Sequence, residues 1–200
     1  MRKALLAATL LLLGSFPPAF ATQVNLDRSS VASTGPVFVS QDGCTVAAFE
    51  IAPVMGSITN PVGATINSRQ DFVSFNVFDE CTGTTQVNAF NIDQPGDAVF
   101  SVAPNGKSAT LVGTYMMFDF VSNTTFDLSI SVEWQASSPP SNLNEHFILP
   151  NGTRFNVTGQ FRSGTATCDF QSVYGDFSGA SAGQLGDGRS TVVIFVAPHP

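Results

Sequence analysis

Basic residues are scarce in this chain, with eight Lys and Arg against fifteen Asp and Glu. Nucleic-acid binding depends on neutralising phosphates with Lys and Arg, so no nucleic-acid partner is expected. Adsorption to anionic lipid is disfavoured on the same ground. Histidine is nearly missing, with His146 and His199 the only two. That leaves too little for a histidine-rich zinc cluster, and no Cys-x-x-Cys accompanies it, so no metal and no cofactor is implied. Aromatic residues are unevenly supplied: one Trp and two Tyr stand beside 18 Phe. Sugar-binding platforms favour exposed Trp and Tyr, which join a flat apolar face to a polar handle. The Phe-rich set reads instead as core filler. No segment carries a 3.6-residue apolar period, and no apolar run reaches the ~18 residues that cross a membrane as a helix. The chain is expected not to span a membrane.

The short apolar run that does exist, Ala4 to Leu13, follows Arg2 and Lys3 and precedes the small-x-small site Ala19-Phe20-Ala21. These are the three parts of a secretory signal, with cleavage expected after Ala21. Residues 1–21 are therefore assigned to a signal peptide, 22–36 to a flexible N-terminal segment and 37–197 to one domain. Arg2 and Lys3 belong to the signal, which leaves six basic residues against fifteen acidic ones. The expected location is periplasmic or secreted, with a partner outside the cell or in its envelope.

Such a compartment permits disulfides. Three cysteines allow one internal bridge and leave one thiol. Cys44 and Cys81 both sit in turn-like sequences, Asp42-Gly43-Cys44-Thr45 and Asp79-Glu80-Cys81-Thr82-Gly83, whereas Cys168 lies in a strand-like run. The expected pair is Cys44–Cys81, with Cys168 a buried small hydrophobe.

What the chain has in quantity is alternation. Phe126, Leu128, Ile130, Val132 and Trp134 interleave with Asp127, Ser129, Ser131 and Glu133, which places five apolar groups on one face of a strand. Thr110 to Val121 precedes it across the polar turn Ser122-Asn123-Thr124-Thr125. Further strands are expected at 36–40, 45–52, 71–78, 86–92, 98–103, 147–149, 154–161, 165–174 and 191–197. Asn105-Gly106 and Asn151-Gly152 mark tight turns between them. Residues 53–67, 135–146 and 178–190 read as connections, the last because of its Gly and Ser content. Short strands at this spacing predict an all-β fold, an antiparallel sandwich of about ten strands, with a closed β-barrel as the alternative. In an outer-membrane barrel one parity of each strand faces lipid, and here 71–78 and 191–197 are apolar on both parities, which favours the sandwich.

Gly179-Ala180-Ser181-Ala182-Gly183 fits the nucleophile-elbow pattern, and Asp187 and His199 follow in triad order. That chemistry needs a strand-to-helix turn, and no helix is expected, so a flexible loop is the reading. His146, beside Glu145, reads as a solvated loop residue. Glu133 is the foremost candidate for paired-carboxylate hydrolysis, with Glu50 and Asp71 behind it. Asp79-Glu80 and Asp93 to Asp97 gather oxygen ligands that calcium could use, although neither matches a regular calcium loop. Asn123, Asn151 and Asn156 begin N-glycosylation patterns, which carry little meaning beside a bacterial-type signal. The functional expectation is an exported, non-catalytic module of binding or structural role. The alternative is a glycosidase-like hydrolase with Glu133 in a concave sheet face.

Overall fold

A computed structural model of the chain describes residues 23–34, 37–40, 43–59, 65–92, 97–148 and 154–193. Their regular structure is entirely β: β1 (Gln23–Thr34), β2 (Val37–Ser40), β3 (Thr45–Thr59), β4 (Thr65–Asp79), β5 (Thr84–Asn91), β6 (Val99–Val102), β7 (Ser108–Asp119), β8 (Thr124–Ala136), β9 (Ser141–Ile148), β10 (Arg154–Ser172) and β11 (Gly175–Val193). The strands lie in the order β1-β11-β10-β8-β7-β5-β4-β3-β2, with β6 added to β7 and β9 to β10. All pairings are antiparallel. β1 also pairs with β3 through Asn25–Val31 and so bridges the two margins of the sheet at one end. Toward the other end β2 takes over the edge of β3, pairing with Val46–Phe49. There the partners of β11 on its β1 side begin only at Gly183, and among the described residues no register joins β2 to β11. The sheet is therefore folded over as a sandwich and is not closed as a barrel along its whole length.

The predicted period-two pattern is what fills the interior. On β8, Phe126, Leu128, Ile130, Val132 and Trp134 are buried, while Asp127, Ser131 and Glu133 are exposed. The odd parity of β3 and β4 supplies Ala47, Phe49, Ile51, Val73, Phe75 and Val77, and the even parity of β10 supplies Ala166, Cys168 and Phe170. The two layers meet through aromatic pairs. Phe49 stacks on Phe170 at 3.5 Å between centroids, Phe75 meets Phe126 edge-on at 6.0 Å, and Phe100 meets Trp134 edge-on at 6.2 Å. The two edge-to-face pairs add about 0.5–1.5 kcal/mol each beyond the area they bury.

One end of the sandwich is finished by a turn used twice. In Asp79-Glu80-Cys81-Thr82-Gly83-Thr84, the Asp79 carboxylate accepts the amides of Cys81 and Thr82 at 2.9 and 3.0 Å. In Asp119-Phe120-Val121-Ser122-Asn123-Thr124, Asp119 likewise accepts the amides of Val121 and Ser122 at 3.0 and 3.2 Å. Hydroxyl pairs repeat the parallel, Thr82 with Thr84 at 2.8 Å and Ser122 with Thr124 at 2.7 Å. Gly83 and Asn123 occupy the left-handed position, at φ 71° and 57°. Asn is one of the few side chains that tolerates that region. Beside the first turn lies the Cys44–Cys81 disulfide, with its Cα atoms 5.2 Å apart.

Several expected connections are strands instead. Residues 22–36, read as a loose lead-in, hold β1. Residues 53–67 are shared between β3 and β4, with 60–64 outside the described residues. Pro53 is tolerated within β3 because it falls where that edge passes from β2, last paired at Phe49, to β1, first paired at Val54. The expected loop at 135–146 is the end of β8 and most of β9, and the expected strands 154–161 and 165–174 are one strand, β10. The expected Gly/Ser loop at 178–190 lies within β11, which is paired to β10 along its full length and to β1 over its second half. Small residues are required there by close approach: a Cβ at Gly183 would stand 2.9 Å from Trp134 Cδ1. The expected signal peptide, residues 1–21, lies outside the described residues, as does most of the strand expected at 191–197.

Candidate functional site

The strands differ in length, and that difference creates the candidate site. β3 and β4 have 15 residues and β10 and β11 have 19, whereas β5 has 8 and β6 has 4. Past the packed core, the inward parity of the long strands continues with Met55 and Ser57 on β3, Asn67 on β4, Gln160 and Arg162 on β10, and Leu185 and Asp187 on β11. With the turn from Val102 to Gly106, these residues line a cleft of about 650 Å³ at the end opposite the disulfide. Leu185 is buried and lies directly across from Arg162, and Asp187 lies across from Gln160. Gly159 lets β10 and β11 approach closely behind this pair, since a Cβ there would stand 2.6 Å from the Asp187 carbonyl oxygen. Arg162 is half-buried, and among the described residues it has no hydrogen-bond or ion-pair partner.

The inward parity of β4 then descends from Asn67 through Arg69 to Asp71, a buried polar cluster at the margin of the core. Arg69 donates to both Asp71 oxygens, at 3.0 and 2.5 Å, and also to the Ala98 carbonyl. The Tyr115 hydroxyl donates to Asp71 as well. Burial, then the hydrogen bond to the Asp71 carboxylate, pushes the Tyr115 phenol far above its ordinary pKa. Asn91 ties the cluster to β5, with Nδ2 donating to the Asp71 carbonyl and Oδ1 accepting the Val73 amide, at 3.0 and 2.9 Å. Both carboxylate oxygens of Asp71 are thus engaged, tying β4 to β7, while its backbone carbonyl helps tie β4 to β5.

The three carboxylates singled out from sequence do not share a site. Glu133 is exposed on the outer face of β8, flanked across strands by Thr110 and Thr167, and it is not part of the cleft wall. Glu50 is exposed on the outer face of β3, opposite Ser74. Asp71 is interior. Ser181 sits in mid-strand on β11, opposite Ala166, with no strand-to-helix turn around it. Asp187 lies six residues further along the same strand, roughly 20 Å away at ~3.3 Å per residue. His199 lies outside the described residues. His146, expected in a loop, is on β9, where Nδ1 meets Asn156 Oδ1.

Of the proposed calcium loops, Asp79 spends its carboxylate on turn amides, and Asp93 to Gly96 lie outside the described residues. Asp97 accepts the Thr114 amide at 2.7 Å. The side chains of Cys44, Asp79 and Cys81 lie within 4.8 Å of one another, but the two sulfurs are joined to each other. Cys168 is fully buried, as expected, and burial followed by the charge of Asp169 pushes its thiol up to about 12.

The Phe residues are not all core filler. Phe72, Phe90, Phe120 and Phe118, in that order, form an aromatic row on the outer face of β4, β5 and the β7 end, with successive centroids 5.8, 6.0 and 5.0 Å apart. Phe120 is 60 % exposed.

The cleft residues Met55, Gln160 and Arg162 were missed from sequence. Arg162 had one usable signal, since it shares the parity of Ala166, Cys168 and Phe170, and a charge on a core parity marks the point where the core ends. Among the described residues no helix is long and apolar enough to cross a membrane. No family model, curated protein or solved structure matches the chain.

Proposed function

We propose that this chain is an exported, non-catalytic binding module that takes a small ligand in the end cleft. The observation that carries the reading is the cleft itself, where an inward-facing surface continues beyond the core as a cavity of about 650 Å³. Ligand sites are concave, with volumes of roughly 300–1,000 Å³ and apolar walls carrying a few convergent polar groups. Met55, Val102 and Leu185 supply the wall, and Asn67, Gln160, Arg162 and Asp187 supply the polar groups. Support for export comes from the signal-like residues 1–21 and from a disulfide at Cys44–Cys81. Among the described residues the lining holds one carboxylate and neither His nor Cys, a poor set for nucleophilic or acid–base chemistry.

The test is a fragment screen by ligand-observed NMR on the wild type and on Ala103→Trp, which fills the cleft from its turn without entering the core. Fragments should bind the wild type and lose binding in the variant. Hits indifferent to Ala103→Trp, or no hits at all, would remove the cleft as the binding site. The hydrolase alternative needs a second carboxylate ~5–10 Å from Glu133. It is tested by turnover of a glycoside panel, which Glu133→Gln should abolish if that alternative holds.

A further inference from the structure

We infer that the cleft selects an anionic amphiphile, with a carboxylate head on Arg162 and an aliphatic chain along Met55, Val102 and Leu185. The inference rests on the reading of the cleft as a binding site. A guanidinium stays charged at any ordinary pH, and its planar fork matches a carboxylate through two parallel hydrogen bonds. Among the described residues Arg69, the other arginine facing the interior, is already committed to Asp71, whereas Arg162 has no such partner. Its surroundings are of two kinds. Leu185, directly across the strand pair, is 3 % exposed and continues the apolar core. Met55 is 40 % exposed although it follows the buried parity of β3, so its flexible thioether chain borders the opening.

Among the described residues no aromatic ring lines the cleft, so their wall offers aliphatic contact and no stacking platform. Gln160, two residues from Arg162 on the same face of β10, and Asn67 on β4 add neutral donors to the lining. Asp187, two residues along β11 from Leu185, stands exposed at the rim. Its negative charge opposes a doubly charged head more than a singly charged one, which favours a carboxylate over a phosphate monoester.

Isothermal titration with decanoate, 1-decanol and acetate tests this on the full chain. Decanoate should bind the wild type and weaken about 10–100-fold in Arg162→Gln, the loss expected for a charge-assisted hydrogen-bonded pair. Arg162→Lys should fall between, because it keeps the charge and loses the fork. Decanol should bind more weakly than decanoate and respond little to Arg162→Gln, and acetate should bind far more weakly than decanoate. Equal binding of decanol and decanoate, or indifference of decanoate to Arg162→Gln while Ala103→Trp abolishes binding, would overturn the anionic class and leave the cleft as a site. Decanoate binding untouched by Ala103→Trp would overturn both. No decanoate binding to the wild type would overturn the class alone, with the fragment screen deciding the cleft.

Discussion

Asp119 shows how much one side chain can organise at a strand end. Its oxygens accept the amides of Asn88, Val121 and Ser122 and the hydroxyls of Ser122 and Tyr174, which links β5, the β7–β8 turn and the β10–β11 hairpin. Burial alone would raise the carboxyl pKa, but the bonds from Ser122 and from the three amides outweigh it and hold the group below the ordinary range. A depressed folded pKa stabilises the protein above the unfolded value, near pH 3.9, and that stability is lost as pH falls through the folded value. Asp119→Ala should cost about 1–3 kcal/mol in urea unfolding at neutral pH, because three amides and two hydroxyls lose a shared, buried acceptor. The variant should also lose less stability than the wild type on acidification through that range. A variant whose acid limb superimposes on that of the wild type would show that Asp119 does not set it. Asp71 is a harsher case. Asp71→Ala leaves Arg69 and Tyr115 without their shared acceptor, and a broken buried pair typically costs about 3–5 kcal/mol. Chemical denaturation should place it well below Asp119→Ala.

Elements were legible where side chains contrast and illegible where they do not. β8 could be read residue by residue because large apolar and polar groups alternate. β11 could not, since Gly, Ala and Ser at 178–183 carry little signal of either face, and pairing along its edges imposes the strand regardless of propensity. The disulfide was legible because both cysteines lie in turn sequences. The cleft was not, because it depends on strand lengths that Pro53 and Gly159 concealed. A direct test of β11 is Gly183→Ala. The added methyl meets Trp134 and the backbone of β10, so it should cost about 1–3 kcal/mol by overpacking. Ala180→Ser, on the exposed parity of the same strand, should stay within about 0.5 kcal/mol. Equal, negligible effects in thermal unfolding would mean that the 179–183 segment is the loose loop its composition suggests.

At the scale of the molecule, the two ends of the sandwich have different work. The disulfide end is closed by covalent and hydrogen-bonded turns, with Glu80 N donating to Cys44 O at 2.8 Å beside the bridge. The bridge closes a loop spanning 37 positions, worth about 3–4 kcal/mol in the chain-entropy description. Reduction should therefore lower Tm while far-UV circular dichroism keeps its β spectrum at low temperature. Cys168 should resist thiol reagents in both states until unfolding, and labelling in the native protein would contradict its burial. The opposite end is left open by unequal strands, and there the interior meets water.

Trp134 is the chain's one tryptophan, fully buried between Phe100 and Gly183. The protein thus carries a single indole chromophore at the point where β6, β8 and β11 converge. Its native emission should be blue-shifted and resistant to iodide quenching, and a red shift should report the loss of that one junction, without averaging over other sites.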